Sequence, residues 1–390
     1  MQLRVENLPV HESPVVVFSG GGTGGHLYPA LAIADALRAR RDDIHAVFIG
    51  ASRGLEARIL PERGEQHYLL PVQGIDRTRP ISSWRAVQAL CSSLYTVAQI
   101  FRSLRPEAVV VTGGYAGTPA GLVAGLLGVP LLLQEQNSVP GLVTRALARF
   151  ATTIHVAFPE AIERLPRRVH GRVRQSGNPV RATSPRSRAE ARRLFDLPDE
   201  AVVVLVTGGS QGSLALNELL LQAIDGVVAS KLGRPHRLRL LWSTGPKHLE
   251  AVSAALARMG GPLWVHALPY IEDMPSALAT ADLAVSRSGA MTTAEWLNQG
   301  LPSVLVPLPT AAANHQMHNA MALADAGAAV VANQEGLTGE RLWSTVVQLV
   351  EDETSLGDMR DAALARARPN AASEIAADVE RLLSSQGGTR

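Results

Sequence analysis

Residues 15–25 read Val-Val-Val-Phe-Ser-Gly-Gly-Gly-Thr-Gly-Gly, and residues 202–212 read Val-Val-Val-Leu-Val-Thr-Gly-Gly-Ser-Gln-Gly. Each is a short β-branched run that stops at a glycine cluster and gives way to a helix-length apolar segment. A strand buried on both faces reads as a continuous apolar run, and glycine supplies the positive φ that turns the chain sharply into a helix. The same strand–turn–helix opening in both halves predicts two α/β domains of one design.

Working outward, further Val/Ile/Leu runs stand at 46–49, 109–112, 131–134, 238–243, 283–286 and 303–307, separated by helix-length segments. Strands alternating with helices predict parallel sheets with right-handed crossovers. Between residues 163 and 193 the chain turns rich in arginine and proline, with Pro166, Pro179 and Pro185, and its apolar periodicity lapses. A hinge is expected near Pro179, giving an N-terminal domain over 1–178 and a second over 179–366. The fold class is α/β: two Rossmann-like doubly wound domains facing across a cleft, with ligand bound at the carboxyl ends of the strands.

Bulk properties narrow the function. With 46% hydrophobic residues over 390 positions, each half has enough apolar material for its own core. A net charge of +2 from 37 basic and 35 acidic residues lacks the basic excess of a nucleic-acid binder. Cys91 is the only cysteine, which excludes an internal disulfide and a cysteine zinc cluster and points to a reducing compartment. The first 14 residues lack the basic-then-apolar order of a secretory signal. The uncharged stretch 108–134 is long enough to span a bilayer, but Gly113, Gly114, Pro119, Gly128 and Pro130 divide it as a buried strand–helix–strand unit.

The glycine turns carry the chemistry. Residues 20–25 satisfy G-x-G-x-x-G after a strand, the dinucleotide spacing, yet Val47, Phe48 and Ile49 are followed by Gly50, Ala51 and Ser52 instead of an acid for ribose. Both turns can instead present backbone N–H groups to a diphosphate at a helix start, with Ser210 placed to cap the next helix or to meet a phosphate. Tight strand-to-helix packing is the alternative for either turn alone. His26 follows the first turn directly; it is a candidate general base beside the ordinary structural alternative.

In order along the chain, GGGTGGHLYPALAIA, GGYAG, EQNSVPGL, GNPVR, GGSQG, SRSGAMTTAE and ANHQMHNA resemble the MurG family of GT-B glycosyltransferases, from about residue 15 to the C-terminal region. The resemblance implies an inverting transfer of N-acetylglucosamine from UDP-N-acetylglucosamine to the 4-hydroxyl of an undecaprenyl-pyrophosphoryl muramoyl-pentapeptide, with no cofactor, at the cytoplasmic face of the plasma membrane. It also implies that the terminal segment 367–390, helical over 372–384, returns to the N-terminal domain. By the same resemblance His26 is catalytic, Thr23, Gly24, Gly25 and Asn137 position substrates, and Arg181 supports the diphosphate. Ser210 stands as a phosphate-side hydroxyl and the Ile271 backbone as the uracil reader. Ala290, Met291, Thr292, Thr293, Ala294 and Glu295 run under diphosphate and ribose, and Gln316 meets a sugar hydroxyl.

Chemistry supports these roles independently of the family. Amides opening a helix after Gly289 suit phosphates, and Glu295 can accept both ribose hydroxyls or else serve as a first-turn helix-dipole acid. No Asp-x-Asp pair occurs and His315 and His318 lack an acidic or cysteine partner, so a metal-independent strategy with no metal site is expected. At 75–84, Arg77 and Arg79 lie beside Ile75, Ile81 and Trp84, a composition suited to an anionic membrane surface. The following stripe of Val87, Leu90, Leu94, Val97 and Phe101 is expected to pack on the first sheet. Three rivals remain: a UDP-N-acetylglucosamine 2-epimerase of the same architecture, an NAD-dependent oxidoreductase and a nonenzymatic sugar-nucleotide sensor.

Overall fold

The computed structural model describes residues 13–72, 80–180 and 186–387, with side chains left out at 80–87 and 385–387. Two compact units result, one from residues up to 180 together with those from Pro369 onward, the other ending at Arg368.

The first unit is a seven-stranded sheet of β1 (Val15–Ser19), β2 (His45–Ala51), β3 (His67–Leu70), β4 (Ala108–Val111), β5 (Leu131–Glu135), β6 (Thr153–Val156) and β7 (Val173–Gln175). All neighbours pair in parallel, in the order β3-β2-β1-β4-β5-β6-β7. Its connections carry α1 (Gly24–Arg40), α2 (Glu56–Glu62), α3 (Pro80–Leu104), α4 (Gly117–Leu127), α5 (Leu142–Leu147) and α6 (Glu160–Glu163).

The second unit repeats the plan. Strands β8 (Val202–Thr207), β9 (Leu238–Ser243), β10 (Val265–Leu268), β11 (Leu283–Ser286), β12 (Ser303–Leu305) and β13 (Ala329–Val331) form a parallel sheet in the order β10-β9-β8-β11-β12-β13. The helices are α7 (Arg188–Leu194), α8 (Leu214–Val228), α9 (Leu249–Arg258), α10 (Met274–Thr280), α11 (Ala290–Asn298), α12 (His315–Ala324), α13 (Gly339–Glu351) and α14 (Glu353–Arg366). The last helix, α15 (Ala371–Gly387), belongs to the first unit.

Side-chain alternation explains why β1 is apolar throughout. Val15 and Val17 join Val47, Ile49, Val109 and Val111 on one face, whereas Val16 and Phe18 join Leu27, Leu31 and Phe48 on the other. Helix α1 is apolar around most of its circumference because it is covered twice, by the sheet and by Ile375, Ala376, Val379 and Leu383 of α15. The uncharged stretch 108–134 resolves into β4, α4 and β5, and no described helix is long and apolar enough to cross a membrane. Val97 and Phe101 are buried against the first sheet, while Leu90 and Leu94 are only partly covered.

In each sheet the strand order reverses once, between β1 and β4 and between β8 and β11. At such a reversal the connections leave in opposite directions and open a crevice at the carboxyl ends of the strands. The two glycine turns sit there, one at the end of β1 and one at the end of β8.

Candidate active site

In the first turn each glycine answers a different contact. A Cβ on Gly20 would lie 2.0 Å from Thr112 Oγ1, one on Gly21 1.9 Å from Glu56 Oε1, and Gly22 has φ +87° beside the Tyr115 ring. Glu56 is fully buried and accepts from the N–H of Gly22 at 2.9 Å and of Ala51 at 3.0 Å. One turn amide is therefore already spent on an internal carboxylate. Fewer amides of the first turn are thus left to meet a diphosphate than its glycine spacing suggests. Thr23 is the N-cap of α1 without a side-chain cap, leaving the N–H groups of Gly24 and Gly25 in the unpaired first turn.

His26 is half-buried, and its Nδ1 lies 3.0 Å from both the Thr112 carbonyl oxygen and Gln136 Oε1. A carbonyl only accepts, so Nδ1 carries the proton and Nε2 is left with the lone pair of a base. The ring is seated against the backbone of Gly113 and Gly114, at φ +92° and +71°, where an added Cβ would come within 3.1 and 2.9 Å of it, inside ordinary van der Waals contact.

Asn137 is fixed from behind. The Glu135 carboxylate accepts from the Asn137 N–H at 3.0 Å, the Asn137 side chain at 3.3 Å, the Gly141 N–H at 2.9 Å and the Thr144 hydroxyl at 2.5 Å. These contacts hold residues 135–141 as a shaped loop at the end of β5.

The second turn is built with the opposite charge. Gly209 and Gly212 take φ +92° and +74°, and a Cβ on Gly212 would lie 2.1 Å from the Thr244 carbonyl. Ser210 is exposed at the apex; the cap of α8 is Ser213, whose Oγ accepts from Leu216 N, so Ser210 does not cap the helix. Arg287, only 7% exposed, donates to Ser213 Oγ at 3.1 and 2.7 Å and to the carbonyls of Val306 and Pro307 at 3.0 and 3.3 Å. No carboxylate faces it among the described residues, and burial lowers its pKa. A buried guanidinium with no carboxylate partner, beside a helix start, has the charge and donors that suit an anion.

Helix α11 starts after Gly289, so the first-turn N–H groups belong to Ala290, Met291 and Thr292. Thr293 N–H and hydroxyl both bond within the helix, to Gly289 O at 2.9 and 3.2 Å, and are engaged there rather than offered to a ligand. Ala294 and Glu295 lie in the second turn. No acid stands in the first, so Glu295 is not a first-turn dipole residue. Burial pushes its carboxyl up to about 7. Gln316 accepts from Leu308 N–H at 3.0 Å through Oε1, which keeps its NH2 as the donor end. The loop is tied by the Ser288 hydroxyl to Gln316 O at 2.8 Å and by Asn319 to Ser288 O at 3.3 Å. Ile271 packs its side chain into the core under the loop after β10. Arg181 and residues 75–79 lie outside the described residues, as do the side chains of Ile81 and Trp84. No group of three metal-competent side chains occurs among the described residues.

Two sequence patterns match this chain: the glycosyltransferase family 28 N-terminal domain over residues 16–156 and the family 28 C-terminal domain over 203–375. The chain is 39% identical over 365 residues, 92% of its length and 97% of the relative's, to a protein of Desulfitobacterium hafniense named UDP-N-acetylglucosamine--N-acetylmuramyl-(pentapeptide) pyrophosphoryl-undecaprenol N-acetylglucosamine transferase. A Salinibacter ruber protein of the same name is 40% identical over 372 residues, 94% of this chain and 96% of the relative. The crystal structure of Acinetobacter baumannii MurG matches with a TM-score of 0.74 at 30% identity, covering 94% of this chain and 99% of that one. The chain belongs to the MurG family.

As a MurG-family member it is a glycosyltransferase, and its two parallel-sheet units are those of the GT-B architecture. A Neisseria meningitidis UDP-GlcNAc 2-epimerase bound to UDP-GlcNAc matches at TM-score 0.65 and 14% identity, which is likeness of fold alone. Three residues of this MurG-family site went unread in sequence. Arg287 carried a signal, a lone cation between a strand end and a glycine. Gln136 stood in the EQN motif directly after a strand. Glu56 had none, since a glutamate in an ordinary helix start gives no sign that it will be buried under a turn 34 residues earlier.

Proposed function

We propose that this enzyme transfers N-acetylglucosamine from UDP-N-acetylglucosamine to the 4-hydroxyl of undecaprenyl-pyrophosphoryl-N-acetylmuramoyl-pentapeptide, converting lipid I to lipid II in peptidoglycan synthesis by a single inverting displacement. The observation that carries the reading is the division of chemistry: an imidazole whose Nδ1 donates to a backbone carbonyl at the first turn, leaving Nε2 to act as the base, and a buried guanidinium without a carboxylate partner at the second. His26 Nε2 takes the proton as the hydroxyl oxygen bonds to the anomeric carbon and the bond to UDP breaks. Leaving-group charge is met by Arg287, Ser210, the first-turn amides of α8 and α11, and Arg181, with no metal and no cofactor. Glu295 accepts the ribose hydroxyls, Gln316 donates to the sugar, the Ile271 backbone reads uracil, and Thr23, Gly24, Gly25 and Asn137 position substrates.

The proposal extends to placement. Residues 1–178 form the acceptor side, 179–366 hold the sugar nucleotide, and the tail from 367 acts with the first. Arg77, Arg79 and Trp84 seat the enzyme as a peripheral protein on the anionic cytoplasmic face of the plasma membrane, where its product serves wall growth, cell shape and division; nucleic acid is no partner.

The test is transfer of labelled sugar to extracted lipid acceptor, with His26→Ala and EDTA as arms. Turnover should fall roughly 100- to 10,000-fold in His26→Ala, the range for loss of a general base, and should survive EDTA. Label left on an epimerised nucleotide in the absence of acceptor, or abolition by EDTA, would overturn it.

A further inference from the structure

Behind His26 runs a buried chain of carboxamides that leads out of the active site. Thr112 O and Gln134 O accept from Gln136 Nε2 at 2.6 and 3.2 Å, and Gln134 Oε1 accepts from it as well. Carbonyl oxygens face one end of the Gln136 amide, so that end is the NH2 and Oε1 is turned to the imidazole. Gln134 Nε2 in turn donates to Asn178 Oδ1 at 3.1 Å, and Asn178 Nδ2 donates back to Gln136 O at 3.1 Å. Gln134, Gln136 and Asn178 are 0, 2 and 3% exposed.

Burial makes the arrangement directional. Amides withdrawn from water keep every donor matched to an acceptor, because one flipped carboxamide would set two carbonyls or two NH2 groups against each other. Reversing Gln136 would bring its NH2 against the imidazole and its oxygen against Thr112 O. The orientation of each amide is thus fixed by its neighbour, from Asn178 to His26 Nδ1. Asn178 stands after β7, beside Pro179, where the chain is about to leave the first unit.

We propose that Gln136, backed by Gln134 and Asn178, is a positioning residue that acts with the Thr112 carbonyl to hold His26 in the Nδ1–H tautomer and to fix the ring's direction, so that the proton acceptor at Nε2 is set in part from the segment that ends at Asn178. The inference rests on His26 being the base. A carboxamide suits the task because it fixes ring direction and tautomer while adding no charge beside the imidazole.

The test uses the full-length enzyme with 15N-labelled histidine. In the wild type the His26 ring should show a protonated Nδ1 and an unprotonated Nε2; the opposite tautomer overturns the proposal without any variant. Gln136→Met keeps the volume but removes both ends of the link. Its His26 resonances should shift toward a tautomer mixture, and kcat should fall about 10- to 100-fold, the usual cost of losing an orienting partner, while the KM for UDP-N-acetylglucosamine holds. Asn178→Asp, which loses the NH2 at the far end, should change both readings in the same direction and less. An unchanged His26 spectrum in a folded Gln136→Met enzyme, or a KM change with kcat preserved, refutes the role. His26→Ala run in parallel separates the two failures: turnover retained there removes the base itself, whereas turnover lost there with Gln136→Met unaffected removes only the positioning.

Discussion

At Glu295 the proposed ribose contact carries a pH-dependent prediction. Burial raises its pKa to about 7, so near neutrality it is a mixture of acid and carboxylate. On the proposed reading, ribose hydroxyls would donate to the ionised form and stabilise it, lowering the pKa in the complex. Below pH 7 binding must therefore expel a proton, and affinity for UDP-N-acetylglucosamine should weaken by up to about tenfold per pH unit as the pH falls. Above pH 7 it should level off. Calorimetry across this range should show the slope in the wild type and none in Glu295→Gln; a slope shared by both would assign the proton elsewhere. Arg287 offers a complementary case. Replacing this buried cation with an apolar side chain of similar length relieves a desolvation cost that offsets the loss of its bonds to Ser213 and the Val306 and Pro307 carbonyls. Arg287→Met should leave the melting temperature unchanged or raised while weakening UDP binding by about 1.5 to 3 kcal/mol, the loss of a charge-assisted bond. A fall in stability with normal UDP affinity would make it a structural residue.

At the scale of elements, α15 depends on contacts made far away in sequence. Asp378 on this helix, 3% exposed, meets Arg174 of β7 at 2.8 Å, Arg381 of its own helix, and His155 Nε2 of β6 at 3.3 Å, while Ser176 Oγ lies 2.7 Å from His155 Nδ1. Two arginines already neutralise the aspartate, so desolvation dominates and the His155 pKa falls to about 4. The unfolded chain, near 6.5, takes up a proton first as the pH drops. The neutral histidine thus contributes fully above pH 6.5 and its contribution is lost between 6.5 and 4, up to about 3 kcal/mol. Urea titrations should show that loss in the wild type and a shallower one in His155→Gln; equal acid slopes would place the proton on another group. Strand legibility divides along the same line. Strands β1, β2, β4, β5, β8, β9, β11 and β12 stood out as apolar runs because both faces are covered. The outer β3, β7, β10 and β13 are short and partly solvated, and their sequences HYLL, VRQ, VHAL and AVV carry no such signature. Strand β6, THR-led as TIHV, was missed too, although it is buried, because two of its four residues are polar.

For the molecule as a whole, the sequence with its net charge of +2 carries no global pull to an anionic surface, so the proposed membrane attachment would have to be local. Residues 75–84 supply the local composition. Co-sedimentation with anionic liposomes should drop in an Arg77→Ala, Arg79→Ala, Trp84→Ala variant and be weak for the wild type on neutral liposomes; binding equal to wild type would remove this segment from the interface. What the sequence determined alone was periodic and local: two strand–glycine–helix openings, the parallel α/β class, the family, and His26 as a candidate base, all readable because each depends on neighbours in the chain. Tertiary structure decided the sign of charge under each turn. Glu56 comes to lie beneath the first and Arg287 beside the second, and the proton on His26 is placed by Thr112 and Gln136, 86 and 110 residues away. Spacing along a chain does not encode which side chains a parallel sheet brings together at its switch point, and there the electrostatics are settled.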